Sequence, residues 1–197
     1  VWFSARQGGV SSPPYDSLNL GSHVGDRRAA VLENRRRLKK ALGIGGNRVA
    51  RGGQVHGTRI AEVARGGEYH GTDGFVTTAR GLALAINSAD CFPVTIHSPS
   101  EMVLASLHAG RSGAAGGIIG KAFDGLYGKY RIDPYNTVAL IGPGICAKCY
   151  EVGRKEAAPF PAWAKKGRGD RYLLDLPRFI RKELENAGVR KANIFDS

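Results

Sequence analysis

The sequence is poor in cysteine, in acidic residues and in long apolar runs. Three cysteines among 197 residues, at positions 91, 146 and 149, are too few and too uneven for a disulfide framework, and the expected compartment is a reducing cytoplasm. No apolar stretch approaches the roughly 18 residues that cross a bilayer, and no signal-peptide pattern opens the chain, so no membrane partner is expected. Several signatures are also missing: a G-x-G-x-x-G after a strand, a Gly-Lys-Ser/Thr phosphate loop and a G-x-S-x-G elbow. No repeat, low-complexity block or linker divides the chain, and no feature sets an oligomeric state.

What is present suits one domain over residues 1–197, with 42% hydrophobic and 23% charged residues, enough to enclose a single large core. The opening "VWFSARQGGVS" begins inside a strand-like run, so a few residues are expected in front of it. Seventeen acidic against 29 basic residues leave a net charge of +12, which invites a nucleic-acid reading. Much of that charge lies in "DRRAAVLENRRRLKKALG" (residues 26–43), where Val31, Leu38 and Leu42 recur at helical spacing and the Arg and Lys residues take mainly the other face. With no zinc-finger spacing, RNP-like motif or basic-aromatic alternation, these charges read as solvated helix faces, and no nucleic-acid partner is expected.

The first 25 residues read as a Gly/Ser/Pro-rich loop, followed by a basic helix with Asp26 as N-cap and Gly43 just past its end. Strands are predicted at "GFVTT", "LALAIN", "FPVTIH", "MVLASL" and "TVALIG", separated by turn residues. "SGAAGGIIGKAFDGLYGKY" (112–130) is a helix candidate, and "LPRFIRKELENAGV" (176–189) an amphipathic helix with Pro177 in its first turn and Gly188 at its end. Clustered strands with helices between or after them point to an α+β class.

Against this background one constellation carries chemistry. His56 in "QVHGT", Cys91 in "ADCFP" and His108 in "LHAG" each sit by a small residue or a strand end, where a side chain reaches into a cleft. A catalytic zinc takes three such ligands and leaves one position open. The spacings match no local finger, so the three must converge from separate loops, with donor atoms about 3 to 4 Å apart. The plainer reading is a buried cysteine and hydrogen-bonded surface histidines. His23, His70 and His97 read as structural or exposed, and Cys146 and Cys149 of "CAKC" as structural. Five histidines in all exclude a multicopper oxidase, whose centres take roughly ten imidazole ligands.

Taken in order, "SARQGGVSSPPYDSLNLGSHVGD", "QVHGT", "TDGFVTTARGLALAINSADCFPV", "LHAG" and "IGPGICAKCYEVG" resemble the polyphenol oxidase or laccase-domain family of the YfiH/YlmD type, later assigned as purine nucleoside phosphorylases with adenosine deaminase side activity. The resemblance implies an α+β sandwich of mixed β-sheets flanked by helices. It implies a zinc held by His56, Cys91 and His108, with copper as the metal of the older family label. It implies phosphorolysis of adenosine, inosine, guanosine and methylthioadenosine, and hydrolytic deamination of adenosine, so the expected partners are a purine nucleoside and phosphate. Zinc there would make water nucleophilic near neutral pH. Asp90, beside the cysteine, is the candidate for proton transfer or for supporting a ligand, and Arg6 and Arg111 are the candidates for holding phosphate.

Two departures stand out. The family continues "HAG" with Trp-Arg-Gly, whereas this chain has Arg111 in the place of the Trp and Ser112 in the place of the Arg. The family also continues past "NIFDS", so the domain is expected to lack its usual C-terminal end. Two rival readings use the same residues differently: a metal-free hydrolase with Cys91 as nucleophile and His108 as base, and a basic nucleic-acid-binding module in which neither is catalytic.

Overall fold

The apolar runs between residues 74 and 109 form the centre of the fold, a computed structural model that describes residues 1–197. In chain order the elements are α1 (Arg28–Ala41), β1 (Val49–Gly53), β2 (Ile60–Glu62), β3 (Gly67–His70), β4 (Gly74–Thr77), β5 (Ala83–Ala85), β6 (Phe92–Ser98) and β7 (Val103–Ala109). There follow α2 (Arg111–Ala115), α3 (Ile118–Tyr130), β8 (Val138–Ile141), β9 (Glu151–Gly153), α4 (Arg154–Ala157), β10 (Ala164–Lys166), β11 (Arg171–Leu174), α5 (Leu176–Asn186) and β12 (Ile194–Asp196). A six-stranded sheet runs β12-β8-β6-β7-β4-β2, with β12–β8 and β2–β4 parallel and the central pairs antiparallel. A parallel sheet β3-β1-β5 and an antiparallel sheet β10-β11-β9 complete the α+β domain. No helix is long and apolar enough to cross a membrane.

Strand β4 shows why the sheets stack. Successive side chains of a strand point to opposite faces, and all four residues of β4 are buried. Val76 joins the large core with Val94, Ile96, Ala105 and Leu107 of the β6–β7 hairpin. Phe75 instead joins Ala50 and Val63 in a smaller core, under the parallel sheet, with Leu84 and an edge-on Tyr69 at 5.6 Å. On the large-core side, α3 contributes Ile118, Ile119, Ala122 and Leu126, and α5 contributes Leu176, Ile180 and Leu184, each a one-face helical repeat.

Several elements differ from what the sequence pattern leads one to expect. Asp26 does not cap α1: Arg27 occupies that position, and the Asp26 carboxylate accepts from Ser11, Asn19 and the Arg27 N–H instead. Gly43 does end α1, at φ 65°, with its N–H on Lys40 O and the Ile44 N–H on Lys39 O, the paired bonds of a Schellman ending. The candidate helix 112–130 is two helices, broken where Gly117 takes φ 78°. "LALAIN" keeps strand geometry only over Ala83–Ala85. The opening loop is held by a buried side chain: Asn34 of α1 donates to Ser11 Oγ, Ser17 O and Asn19 O, and accepts the Val10 N–H at 2.8 Å.

Candidate metal centre

The β6–β7 hairpin register brings two of the three candidate residues together. Phe92 pairs with Ala109 and Pro93 with His108. One step further out, Cys91 lies across from Gly110, where a Cβ would stand 2.7 Å from Cys91 Sγ and 3.2 Å from His56 Cδ2. Only a residue without a side chain leaves that space to the sulfur and the ring. The third candidate, His56, comes from the loop between β1 and β2. The Gln54 amide anchors that loop to the segment leading to Cys91, bonding Asn87 O at 2.7 Å and Asn87 N–H at 2.8 Å. Packing of α2 closes the loop from the other side, since a Cβ on Gly113 would meet Gly57 O at 2.8 Å.

His56, Cys91 and His108 therefore converge, and one donor atom from each lies within 4.8 Å of the others. The two rings meet edge-on at 4.9 Å. His56 is exposed, Cys91 half-buried and His108 buried, so the cluster opens to solvent on the His56 side. His56 adopts φ 58°, a left-handed conformation that a non-glycine residue holds only when its surroundings impose it.

Asp73 imposes it. This residue, fully buried just before β4, accepts the backbone N–H groups of Val55 (3.1 Å), His56 (2.9 Å) and Gly57 (2.9 Å). Its Oδ1 also lies 2.9 Å from His108 Nδ1. One carboxylate thus fixes the His56 loop and the His108 ring together. Bonded in this way, Nδ1 carries the proton and Nε2 keeps its lone pair, the form in which imidazole binds a metal. Burial alone would raise the Asp73 carboxyl, but the bonds from His108, Gly57 and Val55 outweigh it and hold the group ionised, below its ordinary range. Burial pushes His108 down, against the pull of Asp73, and keeps the ring neutral. Cys91 is pushed up, first by burial and then by the charges of Asp90 and Asp73. A thiol so placed needs a cation beside it to become a thiolate. A thiolate with two imidazoles is a donor set that suits zinc, so the residues fit such an ion.

The other predicted site residues are placed differently. Asp90 is exposed, and its backbone carbonyl accepts the Ile145 N–H at 2.9 Å; the carboxylate bonded to a cluster histidine is Asp73. Arg111, the first residue of α2, is half-buried with its charge close to the Tyr150 phenol, which burial raises and Arg111 pulls back. Ser112 beside it is exposed. Arg6 donates to Asp16, with a 2.9 Å ion pair to the carboxylate, and bonds no residue of the cluster. Sequence reasoning missed Asp73 and Tyr150. An aspartate directly before the apolar run "GFV" was the signal for the first, because a buried carboxylate implies a set of donors aimed at it. Cys146 and Cys149, read as structural, are both exposed.

The whole chain, residues 1–197, matches the family model described as multi-copper polyphenol oxidoreductase laccase. A protein of Streptomyces coelicolor named purine nucleoside phosphorylase is 40% identical over 195 residues, spanning 95% of this chain and 80% of its own length. A Mycobacterium tuberculosis protein of the same name is 43% identical over 197 residues, spanning 97% of this chain and 78% of its own. Among solved structures, YlmD from Geobacillus stearothermophilus superposes with a TM-score of 0.92 at 34% identity over 98% of this chain and 78% of that one. YfiH from Bacillus licheniformis gives the same TM-score at 29% identity, over 98% of this chain and 79% of that one.

Proposed function

This chain belongs to the multi-copper polyphenol oxidoreductase laccase family, and on that premise we propose that it is a metal-dependent purine nucleoside phosphorylase that also deaminates adenosine. The observation that carries the reading is the convergence of His56, Cys91 and His108 around a shared space, with Asp73 fixing two of them. The name purine nucleoside phosphorylase borne by the relatives supplies the substrate class. We take the substrates to be adenosine, inosine, guanosine and methylthioadenosine, with phosphate as co-substrate and zinc as the metal. Five histidines in the sequence are too few for the several copper centres of a laccase.

When bound, zinc supplies Lewis-acid activation of the attacking group at neutral pH. His56, Cys91 and His108 hold it, and Asp73 keeps the His108 ring in the metal-binding tautomer. Arg111, half-buried beside Tyr150, offers the charge and donors that hold a phosphate dianion for attack on the ribosyl C1′. Arg6 is the second cation for that task, and it must leave Asp16 to perform it. We take Asp90, exposed next to Cys91 in the chain, as the group that accepts a proton from water attacking C6 of adenosine and returns it to the departing ammonia.

One rival shares this geometry: Asp73, His108 and Cys91 form the line of a cysteine hydrolase. That chemistry requires a lowered thiol pKa, whereas Cys91 is pushed up. The two separate in one experiment, purine release from inosine measured with and without phosphate, before and after chelation. The proposal expects phosphate-dependent release of hypoxanthine and ribose 1-phosphate that chelation abolishes and zinc restores. Activity that survives chelation and is lost on thiol alkylation overturns it.

A further inference from the structure

The "CAKC" stretch lies outside the cluster and shares no residue with it. Its backbone forms a tight turn: the Cys149 N–H bonds Cys146 O at 2.9 Å, and the Tyr150 N–H bonds the same oxygen at 3.1 Å. That turn folds the two side chains onto each other, with their Sγ atoms only 2.7 Å apart, inside van der Waals contact. Both residues are exposed, so a small reagent reaches either sulfur. Neither sulfur packs in a core, so their nearness serves no burial of apolar surface. Forming a disulfide bond of about 2.05 Å from this arrangement requires little backbone movement.

We propose that Cys146 and Cys149 are a redox-active dithiol, which a low-molecular-weight disulfide such as oxidised glutathione converts into an intrachain disulfide. Cys146 is drawn below the usual thiol range, chiefly by hydrogen bonding from Cys149 and then by the N–H groups of Cys149 and Lys148 and the Lys148 charge. Cys149 is raised by its partner. We take Cys146 as the attacking sulfur and Cys149 as the resolving one; both are exposed on one turn, so the exchange runs equally with the roles reversed. In the first step the Cys146 thiolate bonds one sulfur of the small disulfide and expels the other as a thiolate. In the second, Cys149 gives its proton to solvent and attacks the Cys146 sulfur, expelling the remaining small thiolate. Two protein thiols are oxidised, one small disulfide is reduced to two thiols, and the protons balance through solvent.

The position gives such a bond a structural consequence. The turn hangs between Ile145, whose N–H bonds Asp90 O at 2.9 Å beside Cys91, and Tyr150, whose phenol lies near Arg111 and Cys91. Oxidation would brace this wall of the candidate metal centre without touching a metal ligand. In a reducing compartment, disulfides of this kind are transient and redox-responsive.

The test incubates the folded chain of residues 1–197 with an excess of oxidised glutathione, blocks free thiols by alkylation and maps tryptic peptides by mass. Trypsin cleaves after Lys148, between the two cysteines, so an intrachain disulfide joins two peptides that dithiothreitol then separates. The proposal expects that joined species in wild type, with at least a tenfold fall in alkylated Cys146 and Cys149. Cys149→Ser should stop at the first step and carry one glutathione on Cys146. Wild type that stays alkylated at both sites, together with Cys149→Ser that takes up no glutathione, overturns the proposal. So does a disulfide that forms to Cys91 or between chains.

Discussion

Replacing Asp73 by Asn keeps the shape of the side chain and removes half of what it does. The carboxylate accepts four hydrogen bonds, from the N–H groups of Val55, His56 and Gly57 and from His108 Nδ1. An amide has one oxygen and one NH2 group, so in either orientation it keeps two of the four and points donors at the other two. With the oxygen in the Oδ2 place, the NH2 faces His108 Nδ1. The imidazole can then accept that bond only by moving its proton to Nε2, which removes its metal lone pair. With the oxygen in the Oδ1 place, the Val55 and Gly57 N–H groups lose their acceptor and the His56 loop loosens. Each bond to a charged acceptor contributes about 1.5 to 3 kcal/mol, so two lost bonds cost about 3 to 6 kcal/mol. For a chain of this size that is a fall of about 6 to 24 °C in the unfolding midpoint. Loss of a carboxylate behind a metal-binding histidine also lowers metal affinity about 10- to 100-fold. Thermal unfolding followed by circular dichroism, with zinc affinity measured by competition with a chromophoric chelator, reads both effects. An Asn variant that unfolds at the wild-type temperature and binds zinc equally well would refute the assignment of Asp73 as the strap between His56 and His108.

Other expectations follow from the same geometry. Gly110→Ala places a methyl 2.7 Å from Cys91 Sγ and 3.2 Å from His56 Cδ2, so zinc affinity measured by chelator competition should fall by more than about tenfold. Unchanged affinity would mean that the sulfur moves aside freely. On the proposed function, Ser112→Arg puts in the fork of donors that the sequence resemblance leads one to expect at that place, and the KM for phosphate in inosine cleavage should fall while adenosine deamination changes little. Equal effects on both reactions would remove Ser112 from phosphate binding and make Arg6 the next residue to vary. Glu33, held down to about 2 from 4.5 chiefly by hydrogen bonds from Arg36 and Arg37, stabilises α1 fully above pH 4.5. That contribution is lost as pH falls through about 2, so Glu33→Gln should flatten the acid limb of a urea-midpoint profile. An unchanged profile would show that these exposed pairs contribute nothing.

The sequence announced those parts of the fold whose local signal and tertiary role agree. Strands β6 and β7 are rich in apolar and β-branched residues and mostly buried on both faces of the central sheet, and they stand where the sequence pattern placed them. Pro177 and Gly188 bracket α5 as their backbone preferences dictate. Strands β1, β2, β3 and β9 to β12 escaped because most are three or four residues long and carry Gly, Lys or Arg; their pairing is set by neighbours distant in sequence. At the site, His56, Cys91 and His108 were legible as types beside turns, and the β6–β7 register supplies the distance that spacing could not. Asp73 was legible only as an aspartate directly before an apolar run, not as the partner of His56 and His108. Its role arises from four donors gathered from two segments distant in sequence, whereas Asp90 attracted notice by lying next to the cysteine. The two sulfurs of "CAKC" likewise became chemically interesting only once the turn brought them into contact.

The claim beneath the whole account is that one metal ion sits among His56, Cys91 and His108. Elemental analysis of purified wild type beside Cys91→Ser tests it most directly, because a serine hydroxyl is a far poorer zinc ligand than a thiolate and occupies nearly the same space. The account predicts about one zinc per wild-type chain. It predicts little metal in the variant, whose circular dichroism should remain that of the folded protein. Full metal content in folded Cys91→Ser would contradict it.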